Sequence, residues 1–169
     1  RRRRLHCLCT AGVRFPKCQV AEHVNGVHMP TNGIPIWIDL ACDDLEANKS
    51  FYASVLGWHY ADPAPDAGGW TMALADGNAV AGLAPRRPGT PSSWSLYFAA
   101  SSVDETLAHI ESLGGTVLVP AFDIVIGGEL MGRIAAASDP TRGSFGLWEP
   151  HAMAGFEATG APGHPVWFE

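Results

Sequence analysis

The chain has 169 residues, a formal net charge of −6 at pH 7 and 47% hydrophobic residues. Residues 1–28 hold six of its 11 Lys and Arg side chains but one acid, so residues 29–169 have a net charge of −11. This acidity disfavours a nucleic acid or an anionic membrane as partner, and no run approaches the roughly 20 apolar residues of a membrane-spanning helix.

The first 28 residues differ in composition from the rest of the chain. They open with four arginines, lack the continuous apolar stretch of a signal peptide, and end just before the first methionine, Met29. We therefore expect residues 1–28 to be a leader that is either non-native or disordered, with the native start at Met29.

Cysteine and histidine positions do not suggest a zinc site. Cys7, Cys9 and Cys18 lie in the leader with a spacing unlike that of a zinc knuckle, and no pair of histidines has ligand spacing. Only Cys42 lies beyond the leader, so disulfides are not expected. A single cysteine in the folded part favours a reducing, cytoplasmic setting.

Residues 34–84 are predicted to form a βαβββ module. Branched apolar side chains occupy every second position of residues 36–40, which is typical of a strand with one face on a core. A helix is predicted next, with Asp43 as N-cap, Glu46 completing a capping box, and Gly57 after the last turn. The later strands are predicted at residues 58–61, 70–75 and 79–83, the last two joined as a hairpin.

Residues 93–149 repeat this order of elements. Large apolar side chains alternate with other residues over residues 94–98, and Ser102 with Glu105 forms a second capping box before a helix that ends at Gly114. The later strands are predicted at residues 116–119, 130–137 and 144–148. The sequence therefore predicts two βαβββ modules in tandem.

Short motifs in both modules resemble those of one known family. They are D-L at 44–45, F-Y at 51–52, V-L-G-W at 55–58, L-G-G at 113–115 and D-P-T at 139–141. Over about 120 of the 169 positions, the chain resembles the vicinal oxygen chelate superfamily of glyoxalase I, bleomycin-resistance proteins and extradiol dioxygenases. The resemblance implies an α+β fold in which two βαβββ modules form a curved mixed sheet around a cavity.

Metal-dependent members of this family hold a divalent ion with His, Gln or Glu at four positions of that cavity. Carried over to this chain, the positions are Trp37 and Ser95 on the opening strands, Gly146 on the last strand, and Ala81 or Gly82 in the first module. None of these side chains binds a divalent cation well. We therefore expect no metal ion and no other cofactor; the alternative is a divalent metal held at positions that the resemblance does not identify.

The alternation of the strands predicts which side chains enter the cavity. If the branched apolar residues face the helices, the residues between them face the other way. The predicted ligand-binding residues are Trp37, Asp39, Ser95, Tyr97, Arg133 and Trp148. Two tryptophans, a tyrosine and a carboxylate suit the binding of a flat or amphipathic organic molecule.

Each of these residues also has a structural interpretation. Trp37 and Trp148 could simply fill the core, and Ser95 could be small to allow close packing. Asp39 could be anchored by a backbone N–H or by Arg133, and Arg133 could either pair with a carboxylate or meet an anionic ligand.

Two functions of different class follow. The first is a metal-free binding domain, similar in design to the bleomycin-resistance proteins, which holds a small organic ligand. The second is a lyase, isomerase or dioxygenase-type enzyme, either metal-free with Asp39 and Tyr97 as an acid–base pair or with an unrecognised divalent metal site.

The heptapeptide at residues 33–39 returns, with conservative changes, at residues 163–169. Such a repeat indicates a duplicated structural unit. We expect a glyoxalase-like domain at residues 29–150, a linker at 151–162, and the first strand of a second copy at 163–169, as in the tandem two-domain, actinobacterial-type members that the chain looks like. The partner of the domain would be that second copy or, in a homodimer, another chain.

Overall fold

The computed structural model describes residues 32–62, 64 and 66–168. The predicted leader, residues 1–28, lies outside the described residues. The strands are β1 (Pro35–Cys42), β2 (His59–Tyr60), β3 (Thr71–Ala75), β4 (Asn78–Pro85), β5 (Ser93–Ala99), β6 (Thr116–Ile126), β7 (Glu129–Ser138) and β8 (Ser144–Pro150). The helices are α1 (Leu45–Leu56) and α2 (Val103–Ser112).

All eight strands belong to one mixed sheet with the order β2-β3-β4-β1-β5-β8-β7-β6. Within each module the first strand pairs in parallel with the last, β1 with β4 and β5 with β8. The two modules join where β1 pairs antiparallel with β5. The predicted architecture, two βαβββ modules in one curved mixed sheet, is confirmed.

The helix starts follow from their capping side chains. At α2 the predicted cap is present, since the hydroxyl of Ser102 accepts the backbone N–H of Glu105 at 3.3 Å. At α1 the prediction was wrong by one residue: Asp44, not Asp43, accepts the N–H of Ala47 at 2.9 Å. Two consecutive aspartates left the sequence ambiguous, and Asp43 forms an ion pair with Arg86 instead.

Strand β6 is longer than predicted. It continues past Pro120 to the turn at Gly127 and Gly128, whereas the strand predicted from the sequence ends at Val119. Proline cannot donate a ladder hydrogen bond, but it is tolerated in an edge strand or at a bulge. Here β6 is the edge strand, and its pairing with β7 shifts register between Val119 and Phe122.

The hydrophobic core under the helices is divided between the modules. In the first it includes Leu40, Trp58 and Leu83, and in the second Val103 and Leu147. No residue of α1 is fully buried. Neither helix in the described part is long and apolar enough to cross a membrane. The opposite face of the sheet contains the candidate site.

Candidate ligand-binding cavity

The strand pairing fixes which side chains share the face of the sheet away from the helices. Asp39 lies opposite Gly82 on one side and Ser95 on the other, while Tyr97 lies opposite Trp37 and Gly146. Directly paired residues point to the same side of a sheet. The face that alternation predicted from the sequence is therefore the one that forms.

A cavity of about 900 Å³ lies against this face. Its size falls within the range of about 300–1,000 Å³ that holds small organic ligands. The apolar residues along its walls include Trp37, Trp70, Met72, Ile124, Met131, Ile134, Trp148, Met153 and Phe156. Aromatic rings and methionine thioethers dominate, and both adapt to flat apolar molecules.

Trp37 and Trp148 are walls of the cavity and core residues at once. Their exposed fractions are only 2% and 5%, so most of each ring packs against protein. The Trp148 indole donates a hydrogen bond to the Met153 carbonyl at 2.9 Å. Its ring lies over Gly132, where a Cβ atom would come within 2.6 Å of Cε2. Both tryptophans thus define the shape of the cavity rigidly.

Trp70 is a wall residue that is absent from the set predicted from the sequence. It directly precedes β3 and is partly exposed, unlike the other two cavity tryptophans. Its indole N–H donates to Asp39 at 3.0 Å. The alternation of side chains along a strand could have identified Trp70. Met72, two residues later on the same face, pairs with Gly82, and Gly82 pairs with Asp39.

Asp39 is anchored by two indoles. Its Oδ1 atom accepts the N–H of Trp37 at 2.9 Å and that of Trp70 at 3.0 Å. The expected anchors, a backbone N–H or Arg133, were wrong. Gly82 makes the arrangement possible, because a Cβ at that position would collide with both Asp39 Oδ1 and the Trp70 indole.

Burial raises the pKa of the Asp39 carboxyl above its ordinary range, against the opposing hydrogen bonds from Trp70, Trp37 and Tyr97. Burial likewise raises the pKa of the Tyr97 hydroxyl, and the charge of Asp39 adds to that shift, while Arg87 opposes it. Both shifts favour the protonated form of each group.

The shifted pKa of Asp39 predicts a pH dependence of stability. Above the ordinary pKa of 3.8 the unfolded state loses the Asp39 proton while the folded state retains it. This contribution to stability is therefore complete below pH 3.8 and is lost as pH rises through the higher folded pKa. Urea denaturation between pH 4 and 8 should show that Asp39→Asn gains stability relative to the parent as pH rises; a constant difference would contradict the shift.

Ser95 and Tyr97 share the predicted face but not the large cavity. Together with Gly146 they line a separate space of about 70 Å³, too small for an organic ligand. The Tyr97 ring lies over Gly146, where a Cβ would come within 2.8 Å of its Cγ atom. The structure thus brings Trp37, Asp39 and Trp148 together at the cavity and separates Ser95 and Tyr97 from it.

Arg133 lies on the helix side of the sheet. Its guanidinium binds Asp104 of α2 at 2.9 Å and Asp123 at 2.6 Å. The hydrogen bonds that the guanidinium donates to these two carboxylates raise the pKa of Arg133 further above its ordinary value. Of the two alternatives, pairing with a carboxylate is the one found, and the placement of Arg133 in the ligand-binding set is corrected.

The side chains at the family's metal positions do not fit a divalent ion. Trp37 has no free electron pair to donate, and Ser95 lies in the small space. The volume next to Gly82 is filled by Asp39 and Trp70, and that next to Gly146 by Tyr97. Within residues 32–62, 64 and 66–168, no group of three or more His, Cys, Asp and Glu side chains could hold a metal ion.

The segment after β8 completes the cavity. Its N–H groups bond back to the sheet, Met153 to the Met131 carbonyl at 3.0 Å and Phe156 to the Ile36 carbonyl at 2.9 Å. Phe156 also lies 5.6 Å from Trp37 between ring centroids. Residues 151–162 were predicted to be a linker because they belong to a Pro- and Gly-rich stretch between the domain and the repeated heptapeptide. Residues 152–157 are in fact a wall of the cavity.

The repeated heptapeptide forms no strand within the described residues 163–168. The Trp58 indole donates to the Gly163 carbonyl at 2.6 Å, whereas Val166 and Trp167 are 73% and 70% exposed. That this segment opens a second copy of the domain stays a prediction.

A family model described as the glyoxalase/bleomycin resistance protein/dioxygenase superfamily matches residues 34–141. The chain is 39% identical over 143 residues to CFP32 of Mycobacterium tuberculosis, named as a candidate glyoxylase; the match covers 81% of this chain and 53% of that protein. It is 35% identical over 153 residues to the anthracycline biosynthesis protein DauV of Streptomyces sp. strain C5, covering 81% and 54% respectively. The chain therefore spans about half the length of the curated relatives it matches.

Solved structures support the fold. A superfamily member from Vibrio splendidus 12B01 matches with a TM-score of 0.51 at 13% identity, covering 69% of this chain and 97% of that one. The Mn(II)-bound glyoxalase from Novosphingobium aromaticivorans also matches with a TM-score of 0.51, at 20% identity, covering 70% and 39%. At such identities the likeness concerns the fold alone.

Proposed function

Since the chain belongs to the glyoxalase/bleomycin resistance protein/dioxygenase superfamily, we propose that it binds a small organic molecule in its cavity, without a metal ion or another cofactor. The observation that supports this most is the cavity of about 900 Å³ with tryptophan and methionine walls. A superfamily fold accommodates many chemistries, so the proposal rests on these side chains and not on the fold.

The contacts of Asp39 suit a residue that orients a bound ligand. Asp39 Oδ1 already accepts two indole N–H groups, at 2.9 and 3.0 Å. A carboxyl held in this way can orient a ligand by hydrogen bonding while its own position stays fixed.

The shape of the cavity suits a planar polycyclic ligand. Trp70, Phe156 and the methionines offer flat or adaptable apolar surfaces that are partly exposed. A relative that is 35% identical is named for anthracycline biosynthesis, and anthracyclines are planar polycycles. We therefore propose molecules of this shape as the class of ligand.

A titration with an anthracycline, followed by tryptophan fluorescence, tests the proposal. We expect saturable quenching with one site per chain, and at least about a tenfold loss of affinity in Trp70→Ala, because a stacking wall is removed. Trp167→Ala, which changes an exposed ring, is the matched control. Equal affinity in the parent, Trp70→Ala and Trp167→Ala proteins would show that the ligand binds outside the cavity.

Metal analysis of the purified protein tests the second half of the proposal. The side chains at the family's metal positions offer too few donors to hold a divalent ion. About one tightly held divalent ion per domain would therefore overturn the metal-free interpretation. A trace amount, far below one ion per chain, is the expected result.

An enzymatic function is the second candidate. It is favoured by the effect of Asp39 on Tyr97: after burial, the nearby Asp39 charge is the next cause that raises the pKa of the Tyr97 hydroxyl, so the two groups could act as an acid–base pair. If the domain is an enzyme of this kind, Asp39→Asn should abolish turnover of its substrate. Unchanged turnover would remove the acid–base pair from consideration.

We also propose that the domain works beside a second copy of itself, in a longer chain or as a homodimer. The repeated heptapeptide and the greater length of the curated relatives support this. A cytoplasmic location stays a prediction from cysteine content. Sequencing the complete coding region would show whether a second βαβββ pair follows.

A further inference from the structure

The ionisable Asp, Glu, Lys, Arg and His side chains around the cavity are all acidic among the described residues. Asp39, Asp66 and Glu157 line it, Asp123 borders it with its carboxylate on the helix side of the sheet beside Arg133, and no Lys, Arg or His lines it in the part of the chain that the structure describes. The carboxylate of Asp123 is bound to Arg133 at 2.6 Å, so its charge is largely compensated. The other three have no ion-pair partner among the described residues.

The two exposed carboxylates are held in place by backbone N–H groups. Asp66 Oδ2 accepts the N–H of Gly127 at 2.9 Å, and Glu157 Oε2 accepts that of Ala79 at 2.7 Å. These bonds tie Asp66 to the β6–β7 turn and Glu157 to the start of β4. Both charges therefore stay beside the cavity instead of moving freely in solvent.

The aromatic walls reinforce the same preference. The face of an indole ring attracts a cation through its quadrupole, and tryptophan does so more strongly than other side chains. Trp70 is the cavity tryptophan with an exposed portion. An anion in the cavity would meet carboxylates and ring faces, and would find no cationic side chain of the described residues along its walls.

Building on the binding function proposed above, we propose that the cavity selects planar aromatic cations and rejects planar anions. The class of ligand is a protonated aromatic amine or a polycycle with an amino substituent. Asp66 and Glu157 supply the attraction to the positive charge, and Trp70 supplies the surface on which the ring lies.

Three acridines of equal ring size test the inference by isothermal titration at pH 7.5. They are 9-aminoacridine, a cation at this pH, the neutral parent acridine, and the acridine-9-carboxylate anion. We expect the cation to bind at least about tenfold more tightly than the anion, with neutral acridine between them. Raising the salt concentration should weaken binding of the cation, because exposed charges are screened.

The double variant Asp66→Asn, Glu157→Gln assigns the effect to these residues. Both substitutions keep a carbonyl oxygen for the backbone N–H, so the fold should persist, which circular dichroism would verify. Affinity for the cation should fall by about three- to tenfold while affinity for neutral acridine is unchanged. Glu111→Gln, on the exposed surface of α2, is the control that removes a charge on the side of the sheet opposite the cavity.

The outcomes separate this inference from the binding function itself. Equal affinity for the three acridines, or tighter binding of the anion, would overturn charge selection and leave the cavity as a binding site. Loss of affinity in Glu111→Gln equal to that in the double variant would show that only net charge matters, which also overturns it. No binding of any acridine, combined with no anthracycline binding, would overturn both proposals.

Discussion

Replacing Asp39 with alanine should lower the free energy of unfolding by about 2 kcal/mol, because the indole N–H groups of Trp37 and Trp70 lose their acceptor. A buried donor without a partner costs about 1–3 kcal/mol. Part of this cost is offset, since the variant no longer has to bury a carboxylate. Urea denaturation at pH 7 measures the effect.

The matched control for this prediction is Asp39→Asn. The amide oxygen of asparagine can still accept both indole N–H groups, which lie 2.9 and 3.0 Å from Asp39 Oδ1. The variant should therefore be as stable as the parent or more stable. If the alanine and asparagine variants had the same free energy of unfolding, the hydrogen bonds from the two indoles to residue 39 would not contribute to stability.

Replacing Gly82 with alanine should destabilise the protein by about 2 kcal/mol and abolish ligand binding. A Cβ atom there would collide with Asp39 Oδ1 and with the Trp70 indole, and would lie 2.7 Å from Trp70 Cε2. Overpacking of a filled site costs about 1–3 kcal/mol. The displaced Trp70 ring would then occupy cavity space, so denaturation and ligand titration should change together.

Two further variants assign the effect of the Gly82 substitution. Gly146→Ala crowds the Tyr97 ring, which lies outside the large cavity, so it should reduce stability without reducing ligand affinity. Adding Trp70→Ala to Gly82→Ala should restore part of the lost stability, because one of the colliding groups is gone. If the double variant were no more stable than Gly82→Ala alone, the loss of stability would not come from the collision with Trp70.

Local rules predicted the fold and one wall of the site. The alternation in β1 and β5 predicted the shared face of Trp37, Asp39, Ser95 and Tyr97, because side-chain direction in a strand depends only on sequence parity. The capping residue Ser102 predicted the start of α2 to the residue. These features need no knowledge of distant contacts.

Other parts of the site depend on contacts that the sequence does not encode locally. Residues 152–157 cover the cavity through backbone hydrogen bonds, which leave no pattern in side-chain types. Arg133 was assigned to the wrong face because the register between β7 and β8 was unknown. That register pairs Ile134 with Trp148, so Arg133 must point to the opposite side.

The six tryptophans allow one direct measurement of the central claim, that the cavity is the ligand-binding site. Each indole N–H gives its own signal in a ¹H–¹⁵N correlation spectrum, and Trp37, Trp70 and Trp148 line the cavity. On addition of 9-aminoacridine, the signals of these three should shift. Those of the tryptophans outside it, Trp58, Trp94 and Trp167, should stay. Shifts confined to the second group, with the three cavity indoles unchanged at saturation, would contradict the account.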